Sequence, residues 1–260
     1  MSRKSYRVTF PGSMGFPLAG IVDRPDPIES ATPVLVLSHC FTCNKDLKAI
    51  VRISRGLADR GIAVLRYDMT GLGGSGGDFS RTSFTSNLND LRTAIEFASN
   101  EIGVVTGLMG HSFGGAASMA FAGENSDSTP KPKALITLAA PSDTSHLATL
   151  LDAMNPAIKT DGVGDVDIGG YVWTIRDTMT ADFRSHDLPA LISQIEIPTL
   201  IFQSPDDTTV SYDHALRIAS LLKNHGSIIS LPGADHLLSA QPDIELVTAT
   251  TAAFLIRYSG

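Results

Sequence analysis

Short apolar and β-branched runs alternate along the chain with stretches whose apolar residues recur at helical spacing. The runs at 6–10, 18–22, 33–37, 62–67, 103–109, 134–139, 198–202 and 227–231 read as eight strands. The first two lie close together and alternate apolar with polar positions, as hairpin strands do. The later ones are near-continuously apolar, the pattern of strands buried on both faces of a parallel sheet. Helical patterns at about 46–60, 86–100, 112–123, 211–224 and 243–258 separate them. This β-α-β rhythm predicts an α/β fold, an eight-stranded and mostly parallel sheet flanked by helices.

The rhythm breaks once, where more than fifty residues separate the runs ending at 139 and beginning at 198. Within that stretch 165–174 reads as a hairpin turning on Gly169-Gly170, and 179–195 as a helix. No repeat, low-complexity tract or linker divides the chain. The expectation is one domain over 1–260 with a cap insertion at 141–195 that covers the sheet's edge.

Composition narrows the partners. The chain has 260 residues, 43% hydrophobic and 18% charged, enough for a sizeable core without a disordered or fibrous bias. Twenty Lys and Arg stand against 27 Asp and Glu, and no basic cluster is long enough to neutralise a phosphate backbone, so nucleic acid is not expected as a partner. No apolar run reaches the roughly 18 residues that a membrane helix needs, and no signal-peptide pattern follows MSRKSYRVTF, so a cytoplasmic protein without a membrane partner is expected. The two cysteines, Cys40 and Cys43, form C-x-x-C after an apolar run, a spacing that invites comparison with thiol redox motifs. Because His39 and Phe41 belong to another pattern, two small, half-buried loop thiols are the expectation.

The strongest chemical signal is Gly110-His-Ser-Phe-Gly114, a G-x-S-x-G set between the strand ending at Met109 and an alanine-rich helix. A strand-to-helix turn this sharp needs small residues two before and two after the serine, because side chains there would collide. It also lifts the Ser112 hydroxyl above the sheet, with the positive end of the following helix facing any developing oxyanion. A serine hydroxyl is a weak nucleophile and needs a base, and the base needs an orienting acid. Asp206 and Asp207 lie in the loop after the seventh run, and His236 in the loop after the eighth, in Pro232-Gly-Ala-Asp-His236. Both loops should open on the same sheet edge as Ser112.

In strand pattern, serine turn, acid loop and histidine loop, the chain resembles the α/β-hydrolase superfamily over essentially its whole length. That resemblance implies catalytic roles for Ser112, Asp207 and His236, the acid being chosen because the family's D-x-x-V fits Asp207-Thr-Thr-Val210. It further implies that the backbone N–H groups of Phe41 and Phe113 form the oxyanion hole and that His39 braces the loop, with Cys40 where the family usually has glycine. His111 should point away from the pocket. His146, His186, His214 and His225 read as surface residues, and none forms a metal-ligand cluster. The stretches at 39–46, 70–79, 83–87 and 167–170 are similar to a bacterial serine-aminopeptidase-like or esterase-like module often fused ahead of an osmotically-inducible peroxidase-type domain. Gln203 stands where that group usually has histidine, a change expected to affect loop bracing more than catalysis. With the chain ending at Gly260, peroxidase activity is not expected.

The implied activity is a carboxylesterase-like serine hydrolase that acts on a small-molecule ester without cofactor or metal, thioesters and amides being open to the same triad. A non-catalytic binding protein on the same fold is the remaining alternative. Substrate choice should rest with the insertion, whose Leu147, Leu150, Leu151, Met154, Tyr171, Trp173, Met179 and Phe183 offer apolar surface. Leu147, Leu151, Met154, Trp173 and Met179 are the pocket candidates.

The glycines at 71, 73 and 76 of TGLGGSGGD spell G-x-G-x-x-G after a strand. A dinucleotide site also needs a helix that begins within the turn and an acid at the end of the next strand, about 20 residues on. Neither is present, and the stretch reads as a structural turn.

Overall fold

A computed structural model describes residues 2–124 and 131–259. Its sheet has eight strands: β1 Ser2–Pro11, β2 Pro17–Asp26, β3 Val34–Ser38, β4 Ala63–Tyr67, β5 Val105–His111, β6 Ala134–Leu138, β9 Thr199–Gln203 and β10 Gly226–Ser230. They lie in the order β1-β2-β4-β3-β5-β6-β9-β10. β2 pairs antiparallel with both β1 and β4, and the remaining pairs are parallel. The β1–β2 hairpin thus extends one edge of a parallel sheet.

The apolar runs are continuous because both faces are covered. On β3, Val34 and Val36 belong to the core shared with α2 (Phe84–Glu101) and α3 (Phe113–Gly123). Leu35 and Leu37 belong to the opposite core under α1 (Lys48–Ala58) and α9 (Gln241–Ser259). α8 (Tyr212–Leu222) adds Ala215, Ile218 and Leu222 to the first of these layers. α2 begins two residues earlier than its apolar periodicity indicates. Ser83 accepts from the Ser86 amide and Ser86 Oγ accepts from the Ser83 amide, a reciprocal cap that starts the helix at Phe84.

Between β6 and β9 the chain forms α4 (Ser145–Met154), α5 (Ala157–Thr160), the hairpin β7 (Val163–Ile168) and β8 (Tyr171–Arg176), α6 (Asp177–Ser185) and α7 (Leu188–Ile192). The hairpin turns on Gly169 and Gly170, both at positive φ, as their spacing predicts. The single helix expected over 179–195 is two. The Asp187 side chain caps a new start by accepting from the Ala190 amide, and Pro189, which has no N–H to donate, sits in the first turn of α7. Ala148, Leu151, Ile175, Met179, Phe183 and Leu188 join the main core, so this segment shares apolar packing with the sheet. Among the described residues, no helix is long and apolar enough to cross a membrane.

A buried charge pair ties the antiparallel edge to the loop before α1. Arg66 on β4 donates from Nε to Asp23 on β2 at 2.9 Å, and both are almost fully enclosed. Arg66 also donates to the Asp46 carboxylate and the Lys45 carbonyl. Burial alone would raise the Asp23 carboxyl, but hydrogen bonds from Ser5, Ser54 and Arg66 outweigh it and hold the group below the usual carboxylate range. Removing one member of such a pair leaves the other charge buried and unpaired. Asp23→Ala should therefore lower unfolding free energy by about 3–5 kcal/mol, read from the shift in urea midpoint at constant slope. A loss comparable to that of an exposed surface substitution would contradict this account of the edge.

Candidate active site

β5 ends at the turn into α3, and there Ser112 takes φ 53 and ψ −117. A side chain is rarely tolerated in that region, and holding it there costs on the order of 1–3 kcal/mol. The flanking glycines make the turn possible. A Cβ on Gly110 would fall 2.2 Å from the Gly114 carbonyl oxygen, and one on Gly114 would fall 2.5 Å from the His39 carbonyl oxygen. The Ser112 amide donates to Leu138 O at 2.8 Å, which ties the turn to β6.

Parallel pairing brings the loops after β3, β5, β9 and β10 to one edge. At that edge Ser112 Oγ lies 3.1 Å from His236 Nε2, and His236 Nδ1 lies 2.8 Å from Asp207 Oδ2. The carboxylate can only accept, so Nδ1 carries the proton and Nε2 is left to accept from the serine hydroxyl. Asp207 Oδ1 accepts from the Thr209 and Val210 amides at 2.8 and 3.0 Å, and Gln203 Nε2 donates to Oδ2 at 3.3 Å. Burial pushes the Asp207 carboxyl up, but the hydrogen bonds from His236 and these amides prevail and hold it below its ordinary value. Asp206 instead accepts from the Gly233 amide, and Asp235 from the Ser239 amide, so both brace loops. Gln203 also donates to Val210 O at 2.8 Å, which pins the acid loop.

His111 is buried beneath this line. Its Nε2–H donates to the His236 carbonyl at 2.7 Å and so anchors the histidine loop. Burial, then the neighbouring His236, lowers its pKa to about 3, so the ring stays neutral.

The loop after β3 carries the Phe41 amide, and α3 begins with Phe113, a first-turn residue whose N–H has no acceptor one turn back. His39 Nε2 accepts from the Met69 amide at 3.2 Å, so Nδ1 holds the proton and donates to Cys40 O at 2.8 Å. Burial lowers the pKa of His39 and keeps it in this neutral form. Cys40 and Cys43, expected as free thiols, are joined in a disulfide. Their Cα atoms lie 5.4 Å apart, within bonding range.

A cavity of about 690 Å³ opens onto Ser112 and His236. Leu147, Leu151 and Met154 line it, as do Leu150 and Tyr171. Trp173 and Met179, although expected there, do not. Trp173 lies two residues beyond Tyr171 on β8 and packs edge-on against Phe79 with ring centres 4.9 Å apart, whereas Met179 belongs to the buried core together with Phe183. The wall also includes His146, expected instead at the surface, together with Asp167, Ile168 and Leu237, which were not among the pocket candidates. The helical spacing of Leu147, Leu150, Leu151 and Met154 could have revealed α4 and, with it, His146 one residue from that stripe.

Of the four histidines expected at the surface, His225 is exposed and the other three are half-buried. His214 accepts from the Ser142 amide at 3.1 Å, His146 packs against His214 with ring centres 5.0 Å apart, and His186 packs edge-on against Phe84. His146 on α4 meets His214 on α8, and His186 after α6 meets Phe84 on α2, contacts that no local pattern encodes. Among the described residues no group of three or more His, Cys, Asp or Glu could hold a metal ion.

Residues 30–160 match the family model described as "Serine aminopeptidase, S33". The esterase domain of a Rhodothermus marinus protein is 36% identical over 100% of both chains, with a TM-score of 0.79. Est1E from Butyrivibrio proteoclasticus, solved with ferulic acid bound, is 23% identical over 96% of this chain and 98% of its own, with a TM-score of 0.82, a likeness of fold. No curated protein sequence matches the chain.

A carboxyl whose pKa is lowered by folding contributes stability above its unfolded pKa, and that contribution is lost as pH falls through the folded value. The stability difference between wild type and Asp207→Asn should therefore shrink as pH drops from neutral into the carboxylate range. Thermal unfolding of both proteins across that range checks it, and a difference that stays constant with pH would remove Asp207 from the account of acid stability.

Proposed function

The chain belongs to the serine aminopeptidase S33 family of α/β hydrolases, and on that premise we propose that it is a serine hydrolase that cleaves carboxylic esters through an acyl-enzyme. The observation that carries this reading is the unbroken line from Ser112 Oγ through His236 to Asp207, at 3.1 and 2.8 Å. His236 Nε2 takes the hydroxyl proton as Ser112 attacks the ester carbonyl, and Asp207 stabilises the imidazolium that forms. The Phe41 and Phe113 amides receive the oxyanion. His236 then gives its proton to the departing alkoxide, and water repeats the sequence on the acyl group. In this reading 141–195 is a cap, and the apolar wall supplied by Leu147, Leu151 and Met154 favours a neutral, apolar group on the ester.

One observation favours a second reading. Asp167 is the only carboxylate among the described residues lining the cavity, and a carboxylate there could receive the free amine of an aminoacyl substrate. Its Oδ1 already accepts from the Gly170 amide in the hairpin turn, which makes it a weaker anchor for an amine.

A series of p-nitrophenyl esters measured beside aminoacyl p-nitroanilides separates the two. Ester turnover should dominate, and Ser112→Ala should reduce kcat by a factor on the order of 10⁶. Preference for anilides with a free amine would replace the esterase reading with the peptidase one, and wild-type ester turnover in Ser112→Ala would remove both.

A further inference from the structure

The peptide between Cys40 and Phe41 is planar, so its carbonyl and the Phe41 N–H point in opposite directions. Whatever holds the carbonyl also aims the amide. Two donors hold it here: His39 Nδ1–H at 2.8 Å and the Cys43 N–H at 3.2 Å. His39 is locked by Met69. Cys43 is locked by its bond to Cys40. Between the cysteines Thr42 sits at φ 59, a left-handed conformation that a β-branched residue rarely adopts. Cys40, Thr42 and Cys43 line the same cavity as Ser112 and His236.

Resting on the reading of Phe41 as an oxyanion donor, we propose that the Cys40–Cys43 disulfide is a thiol-exchange site in the cavity wall, reached by dithiol reductants, and that the oxidised form is the one competent for hydrolysis. Cys43 is the more exposed of the two residues and takes the attack. A thiolate of the dithiol bonds to Cys43 Sγ, the Sγ–Sγ bond breaks, and Cys40 leaves as a thiolate that takes up a proton. The second thiol of the reductant then displaces Cys43, which is protonated, and the reductant departs as its own disulfide. Two electrons and two protons reach the protein.

Without the bond, the ring that holds Thr42 left-handed opens, Thr42 relaxes to negative φ, and the Cys43 N–H leaves the Cys40 carbonyl. His39 then remains as the only clamp on that peptide. The rest of the loop keeps its anchors. Lys45 donates from its amide and Nζ to Asp68 at 2.6 and 2.9 Å, and the Phe41 ring is held among Phe79, Phe113 and Phe183. The substrate surface therefore survives while the amide loses its aim. This separates kcat from KM, because an oxyanion donor acts in the transition state alone.

The test compares the air-oxidised protein, the protein reduced with dithiothreitol and freed of it by gel filtration, and Cys40→Ser combined with Cys43→Ser. Intact mass should rise by two hydrogens on reduction. With a p-nitrophenyl ester, kcat should fall about tenfold or more, up to the roughly 10²–10³-fold loss that follows outright removal of an oxyanion donor, while KM changes little. Reoxidation should restore kcat, and the double variant should match the reduced enzyme and ignore dithiothreitol. Equal kcat before and after reduction, free thiols in the air-oxidised protein, or a double variant as fast as the oxidised enzyme would each overturn the proposal. An oxidised enzyme no faster than Ser112→Ala would instead bring down the hydrolase reading, and this proposal with it.

Discussion

The close approach of two backbones at the end of β5 sets the geometry of the whole sheet edge that carries the candidate site. Ser112 stands at φ 53 only because Gly110 and Gly114 have no side chains to collide, and Gly114 lies against the carbonyls of Ser38 and His39. That contact couples the serine turn to the loop after β3. A methyl group on Gly114 would push the proposed nucleophile and the proposed oxyanion amide apart together. The strain, on the order of 1–3 kcal/mol, is held by β5 in the middle of a sheet buried on both faces.

From that contact the support spreads outward through buried polar groups rather than through apolar packing. Asp68, fully enclosed after β4, accepts from the Lys45 amide and Nζ and from the Gly74 amide, and so binds the loop after β3 to the glycine-rich turn. Gly73 passes so close that a Cβ would fall 2.2 Å from Asp68 Oδ2. Of the glycines that spell a nucleotide fingerprint, Gly73 lets backbone crowd a buried carboxylate, while Gly71 passes close to the backbone of Asp78 and Phe79 and Gly76 lies against Phe16 and Pro17. Asp90 on α2 closes the same region by accepting from the Thr70 amide at 2.8 Å. On the other side His111 holds the His236 carbonyl while Gln203 and two backbone amides hold Asp207. Each member of the Ser112, His236, Asp207 line thus has its own backbone or side-chain brace.

The sheet was legible because strands buried on both faces must be continuously apolar, and the loops at one edge follow from parallel pairing. The turn at Ser112 was legible for a similar reason: small residues at fixed offsets are a steric requirement that the letters display directly. Legibility fails where the deciding contact is distant or the deciding quantity is a direction. Apolar residues in the insertion could be counted, but counting could not tell that Tyr171 overhangs the cavity while Trp173 turns to Phe79. His146 and His214 meet across α4 and α8, which local periodicity does not record. C-x-x-C spacing permits a disulfide without requiring one, and only the turn at Thr42 brings the two Cα atoms to 5.4 Å.

If Ser112 is a nucleophile activated by His236 and oriented by Asp207, it reacts with a fluorophosphonate, and peptide mass spectrometry locates the adduct, because only an activated serine forms it at an appreciable rate. One phosphonate per chain is expected, on the peptide that carries Ser112, with labelling much slowed in His236→Ala. An adduct on a different residue, or labelling at the wild-type rate without His236, would contradict this role of Ser112.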